Sequence, residues 1–116
     1  LTMHLAHNIL LGLLALVFLA SGAMKLSGSE KGLAGTRDVN IGDRIARLIG
    51  LVEAVAAVGL IYAIRYPEEL IGWLANLVLW IAMGVAIYSH SKANKMKSAV
   101  PAVVLLILLS ATLVLI

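Results

Sequence analysis

A bundle of four membrane-spanning helices is the architecture expected of this chain, and three features lead to it. Hydrophobic residues make up 62% of the 116 positions and charged ones only 13%, whereas a soluble domain carries about 25% charged residues. The charge deficit falls in long runs, and a bilayer core needs roughly 20 apolar residues per helix. The basic residues, finally, collect in alternate connections between those runs. The four runs use up most of the chain, so one domain is expected and no soluble catalytic module.

The first run, Leu5–Leu26, lacks a basic segment before it and is longer than the apolar core of a signal peptide, so a retained helix is expected. The first connection, Ser27–Arg44, is glycine-rich with mixed charge, and its length leaves room for a short interfacial helix. The second run, Ile45–Ile64, has Asn40 or Asp43 as its expected N-cap, since either side chain can accept from exposed amides. A tight turn through Arg65 and Pro67 leads to the third run, Leu70–Tyr88. Pro67 is expected in that helix's first turn, where its missing amide proton costs nothing. Tyr62, Tyr66 and Trp73 gather at this turn as an aromatic belt would. The short basic segment His90–Ser98 leads to the last run, Ala99–Ile116, with Pro101 in its first turn.

Of the nine Lys and Arg residues, eight lie in or beside the first and third connections and only Arg65 lies in the second. Positive residues stay on the cytoplasmic side. Both chain ends are therefore expected outside, in a multi-pass membrane protein. Anionic lipid at the inner face is the expected neighbour of the basic loops. Nucleic acid is not, because no aromatic platform lies between the basic residues. The absence of cysteine excludes disulfides, thiol redox chemistry and Cys-ligated metal.

Glu53 is the main chemical clue. It stands within LIGLVEAVAAVGLIYAI, and an acid inside a span is costly and marks a functional site by default. By helix rise it lies about 12 Å from the start of its helix. Ser21 and Gly22 on the first helix, and Met83 and Gly84 on the third, fall at a similar level and are expected to leave room beside it. Lys25 is one turn beyond Ser21, and His90 ends the third helix at the same surface. Glu53, Lys25, His90 and Ser21 thus form the candidate ligand or proton site. The Lys25–Glu53 pair is marginal, with an axial offset of roughly 6–9 Å by helix rise. The competing reading makes Glu53 a packing element only, since polar groups between membrane helices add specificity, and leaves Lys25 snorkelling to headgroups. No catalytic pair and no metal set is evident. His4 and His7, without a carboxylate, are a weak metal signal and read as an exposed tail. Trp73, Asn76, Trp80 and Tyr88, with Gly84, recur at helical steps as a second candidate face, for a flat apolar ligand. An aromatic helix seam is its plainer reading.

FLASGAMKLSG at Phe18–Gly28, IARLIGLVEAVAAVGLI at Ile45–Ile61 and the third span ending in His90 resemble the DoxX-like family of small bacterial four-helix membrane proteins. The resemblance covers nearly the whole chain, apart from the loop Lys31–Asp43. It implies that Lys25, Glu53 and His90 are the family's polar signature. It also implies a non-catalytic accessory or anchoring subunit of a quinone-linked redox system, with a redox-enzyme partner or a homo-oligomer. No bound cofactor is expected beyond a non-covalent quinone or lipid. Two other functions compete. A small proton-coupled transporter would use Glu53, as small multidrug transporters use a glutamate, although theirs lies in the first helix. A quinone-reducing enzyme would need a metal, haem or flavin motif that the sequence does not supply.

Overall fold

The computed structural model describes residues 2–114. Its helices are α1 (Thr2–Ser27), α2 (Glu30–Asp38), α3 (Asp43–Arg65), α4 (Leu70–Lys92) and α5 (Val100–Val114), the last preceded by a 3₁₀ turn at Met96–Ala99. Four segments are long and apolar enough to cross a membrane: His4–Ser27, Asp43–Arg65, Leu70–Lys92 and Met96–Val114. The final two residues of the span expected to reach Ile116 lie outside the described residues. The long helices pack up and down in a ring, α1 on α3, α3 on α4, α4 on α5, with α5 touching α1. One end carries both helix-terminal ends of the chain and the α3–α4 turn, and is called the hairpin end here. The other carries α2 and the α4–α5 connection, and is the basic end.

The core is thin and central. Leu11, Leu14 and Phe18 of α1 meet Ala57 and Leu60 of α3, Leu79 of α4 and Leu109 of α5, all buried. Outward-turned positions are equally apolar: Leu13, Leu16, Val55, Val58, Ile81, Val85 and Ile107 are all exposed. Such a surface suits hydrocarbon, where lipid tails are as apolar as the side chains they meet.

Small residues set how closely the helices approach, because association in lipid depends on packing at short range. A Cβ built on Gly22 would lie 2.5 Å from the Gly50 carbonyl oxygen, and one on Gly50 would lie 2.7 Å from the Gly22 oxygen. The α1 and α3 backbones therefore touch there. Gly22 does not leave room beside Glu53, as its level suggests; it lets α3 in. Gly84 has nothing within 4 Å of its would-be Cβ and looks outward. Gly59 with Ala75, and Ala63 with Gly72, repeat the device between α3 and α4.

At the basic end each helix stops on a left-handed residue: Gly28 after α1 (φ 75°), Asn40 after α2 (φ 66°) and Asn94 after α4 (φ 59°). Glycine and asparagine tolerate that conformation. Asn40 therefore terminates α2 and is not the N-cap of α3. Asp43 is not the cap either. Gly42 holds that position without a side-chain bond, because the Asp43 carboxylate is taken by Arg37 through two hydrogen bonds of 2.9 and 2.8 Å. Those bonds push the Arg37 guanidinium further above its ordinary pKa. Ser29 caps α2 by accepting from the Gly32 amide at 3.1 Å, as Ser does at helix starts.

Pro67 lies outside the first turn of α4, which begins at Leu70. It sits instead in a turn closed by the Glu69 amide on the Tyr66 carbonyl at 3.2 Å. Proline's fixed φ suits the second position of such a turn. Pro101 is the second residue of α5, within the first turn as expected.

Candidate functional site

Lys25 and Glu53 come together in the half of the bundle toward the basic end because the Gly22–Gly50 contact removes the space between their helices. Lys25 Nζ donates to Glu53 Oε1 at 2.6 Å and to Ser21 Oγ at 3.0 Å. The glutamate side chain is 2% exposed and the lysine 18%, so the acid is within protein and the ammonium partly reaches out. The axial offset that looks marginal from helix rise alone is bridged because Gly50 nearly touches the Lys25 Cβ, which a Cβ on Gly50 would meet at 2.7 Å. Glu53 Oε2 makes no hydrogen bond within the described residues.

His90 stands apart from this cluster. Its Nδ1 is 2.7 Å from Ser98 Oγ, which ties the end of α4 to the following turn. It nevertheless shares a cavity with the ion pair. About 290 Å³ in volume, this cavity is bordered by Lys25, Glu53 and His90, by Met83, by Thr36 of α2 and by Val39 just after it. Its wall is mainly aliphatic, with the charged groups at one side.

The roof is α2. Leu33 and Thr36 are its buried side chains, with Val39 buried just past its end, and Gly32 lies directly on the α1 backbone at Met24. Two ion pairs hold this short helix at its far end: Arg37 with Asp43, and Asp38 with Lys95 at 2.6 Å. Arg47 Nε donates to the Leu26 carbonyl at 3.0 Å and closes the end of α1. The interfacial helix is thus an amphipathic cover over the cavity, fixed to three neighbouring segments.

The second candidate face does not stay together. Trp73 and Asn76 border a different cavity at the hairpin end. Trp80 turns to α5 and donates from Nε1 to Ser110 Oγ at 2.9 Å. Tyr88 is 65% exposed at the basic end. Steps of three and four residues drift around a straight helix, so a stripe spanning four turns meets different neighbours along its length.

Several contributing residues are not among those singled out from sequence. Thr36 on the cover, and Ser110 and Thr112 on α5, all take part in polar contacts. Hydroxyls in the otherwise aliphatic last span were the available signal. His4 and His7, read as a tail, border the hairpin-end cavity with Asn8 and Glu69.

Comparison with curated proteins gave no match, and neither did comparison with solved structures. The DoxX-like family matches residues 9–112, from the first turns of α1 almost to the end of α5, and takes in Lys25, Glu53 and the α2 cover. With four helices long and apolar enough to cross a membrane, this multi-pass membrane protein belongs to the DoxX-like family.

Proposed function

We propose that the protein is a non-catalytic accessory subunit of a quinone-linked redox system in the bacterial plasma membrane, with its basic end in the cytoplasm. One observation carries the reading. The Lys25 ammonium has three protons, two of which are engaged by Ser21 and Glu53, beside a cavity of about 290 Å³ with a mainly aliphatic wall. The third proton suits a carbonyl oxygen, and the wall suits a flat ring. Such a site polarises and positions a quinone head without transferring electrons to it. With no cysteine in the chain, no thiol of its own can supply electrons, and in this reading a partner supplies them. The eight basic residues of this end would serve both anionic lipid and an acidic face of that partner.

The test is a mild-detergent pull-down joined to a binding measurement. A redox enzyme should co-purify, and a short-chain quinone should bind at least tenfold more weakly to the Lys25→Met/Glu53→Leu double variant. A solitary oligomer that binds quinone equally well with and without the pair would end this reading. A second reading, proton-coupled transport, draws on Glu53 Oε2 having no hydrogen bond beside the cavity. Ligand-driven proton release from proteoliposomes, lost in Glu53→Gln, would select it.

A further inference from the structure

The cover over the basic-end cavity is not fastened all round. α2 packs on α1 and on α3 and, among the described residues, does not pack on α4, although α4 supplies Met83, Val85 and His90 to the cavity wall. Its far end is pinned by Arg37 to Asp43 and by Asp38 to Lys95. Of the residues bordering the cavity, Thr36, Val39, Glu53 and Met83 are buried, whereas Gly35 on α2 and Val85 on α4 are exposed. A Cβ built on Gly35 would meet nothing within 4 Å. Gly35 and Val85 therefore mark the two lips of an opening between α2 and α4.

Helix packing accounts for the space behind that opening. Gly59 and Gly72 draw α3 and α4 together in the hairpin half, and Gly22 and Gly50 draw α3 onto α1 toward the basic end. α3 thus leans from α4 to α1, and the room between α3 and α4 lies toward the basic end. The opening reaches the level of lipid chains. The 23 residues of α4 make a helix about 35 Å long, against a hydrocarbon core of about 30 Å. Val85 precedes the last residue of α4, Lys92, by two turns, which places it about 10 Å from that end. The half-buried aliphatic members of the wall, Ile41, Ile49, Ala82 and Ala86, bring no polar side-chain atom to it.

We infer that this cavity is filled sideways from the bilayer, through the opening between Gly35 and Val85, by an amphiphile with a single ring and one hydrocarbon chain. The ring lies inside, beside Lys25 and Glu53, and the chain stays among the lipids. The inference rests on the reading above for the quinone-type ring and adds the route and the chain. Volume sets what goes in. A cavity of about 150 Å³ in another protein takes up benzene; at about 290 Å³ this one holds a substituted ring and the first few chain carbons. The remainder of a longer chain leaves by the opening, where carbon meets carbon. The cover stays in place during loading, because its ion pairs and its buried Leu33 lie off this route.

Two probes test it: tetramethylbenzoquinone, and the same ring with one methyl replaced by a decyl chain. Each is titrated calorimetrically into the protein in nanodiscs, with empty nanodiscs as the blank. Val85→Trp narrows the opening. The decyl quinone should bind that variant about tenfold more weakly, the cost of forcing a chain past an overfilled contact, while the chainless ring changes by less than about threefold. Retained binding of the chainless ring shows that the variant is folded. Ile81→Trp, exposed on the same helix and not bordering the cavity, should alter neither affinity. The chain has no cysteine, so Asp38→Cys/Lys95→Cys joined by a short bis-maleimide locks the cover. Decyl-quinone affinity should then stay within about threefold of the unjoined pair. An equal effect of Val85→Trp on both probes, no effect on either, or loss of binding on locking α2 would overturn the inference and leave the quinone reading in place. Failure of the unmodified protein to bind either probe would end both.

Discussion

At the basic end of the bundle two charged side chains satisfy one another, and what is left over is a donor on Lys25 and an acceptor at Glu53 Oε2. At the hairpin end two neutral polar side chains satisfy one another, and what is left over is an acceptor on Asn76. Both ends border a cavity, and both use a contact between helices to fix the polar group in place. The difference lies in how the fold treats removal. An ion pair between helices holds two mutually dependent charges, so loss of either strands the other. An amide on a hydroxyl strands nothing when the amide is removed, since Thr112 retains its bond to Leu109. The ionic end should therefore be intolerant of substitution and the amide end tolerant of it.

The largest effect should come from breaking the pair on one side. Glu53→Leu leaves the Lys25 ammonium without its carboxylate, and unfolding in mixed detergent should reveal a loss of about 3 kcal/mol. That is the low end for buried pairs, because Lys25 is 18% exposed. Adding Lys25→Met should restore most of the loss; if the double variant is no more stable than the single one, the charges are not coupled. Next in size is Gly50→Leu. Its side chain would have to displace the α1 backbone, at a cost of about 2 kcal/mol, and disulfide cross-linking of Cys pairs placed across α1 and α3 should slow. Gly84→Ala is the internal control: with nothing within 4 Å of it, the change should raise stability by up to about 1 kcal/mol through helix propensity. The smallest effect belongs to the hairpin end. Asn76→Leu should change stability by less than about 1 kcal/mol, in keeping with the modest worth of hydrogen bonds between membrane helices. A loss as large as that of Glu53→Leu would erase the distinction between the two ends.

Much of this architecture was open to reading from the chain. Unbroken apolar runs mark the spans, and one acid within such a run draws attention to Glu53 without any partner being known. Counting along the helix puts Lys25 in the same group, although axial rise alone leaves the pair marginal. What decides the pairing is lateral: the Gly22–Gly50 contact brings the helices together, and a glycine does not announce which helix it will meet. The same limit applies to Asn76. Its need for a partner was evident, but Thr112 lies 36 residues away, and helix rotation in lipid is fixed by packing and not by a polar stripe. The stripe through Trp73, Asn76, Trp80 and Tyr88 was legible as a repeat yet does not form one surface. Local competition accounts for the misplaced caps: Asp43 had a stronger partner in Arg37 than in its own helix amides. His4 and His7 looked like a tail because nothing in the first run indicates that its opening turn abuts the α3–α4 turn.

The α1–α3 crossing also bears on how the protein is made. Lys25 leaves the ribosome 28 residues ahead of Glu53. A lone acid near the middle of a span costs about 2.5–3.5 kcal/mol on translocon insertion scales, and pairing with Lys25 offsets part of that cost. The first two spans should leave the translocon as one hairpin, with charge neutralisation as the step that commits them and the later pair docking onto a finished half.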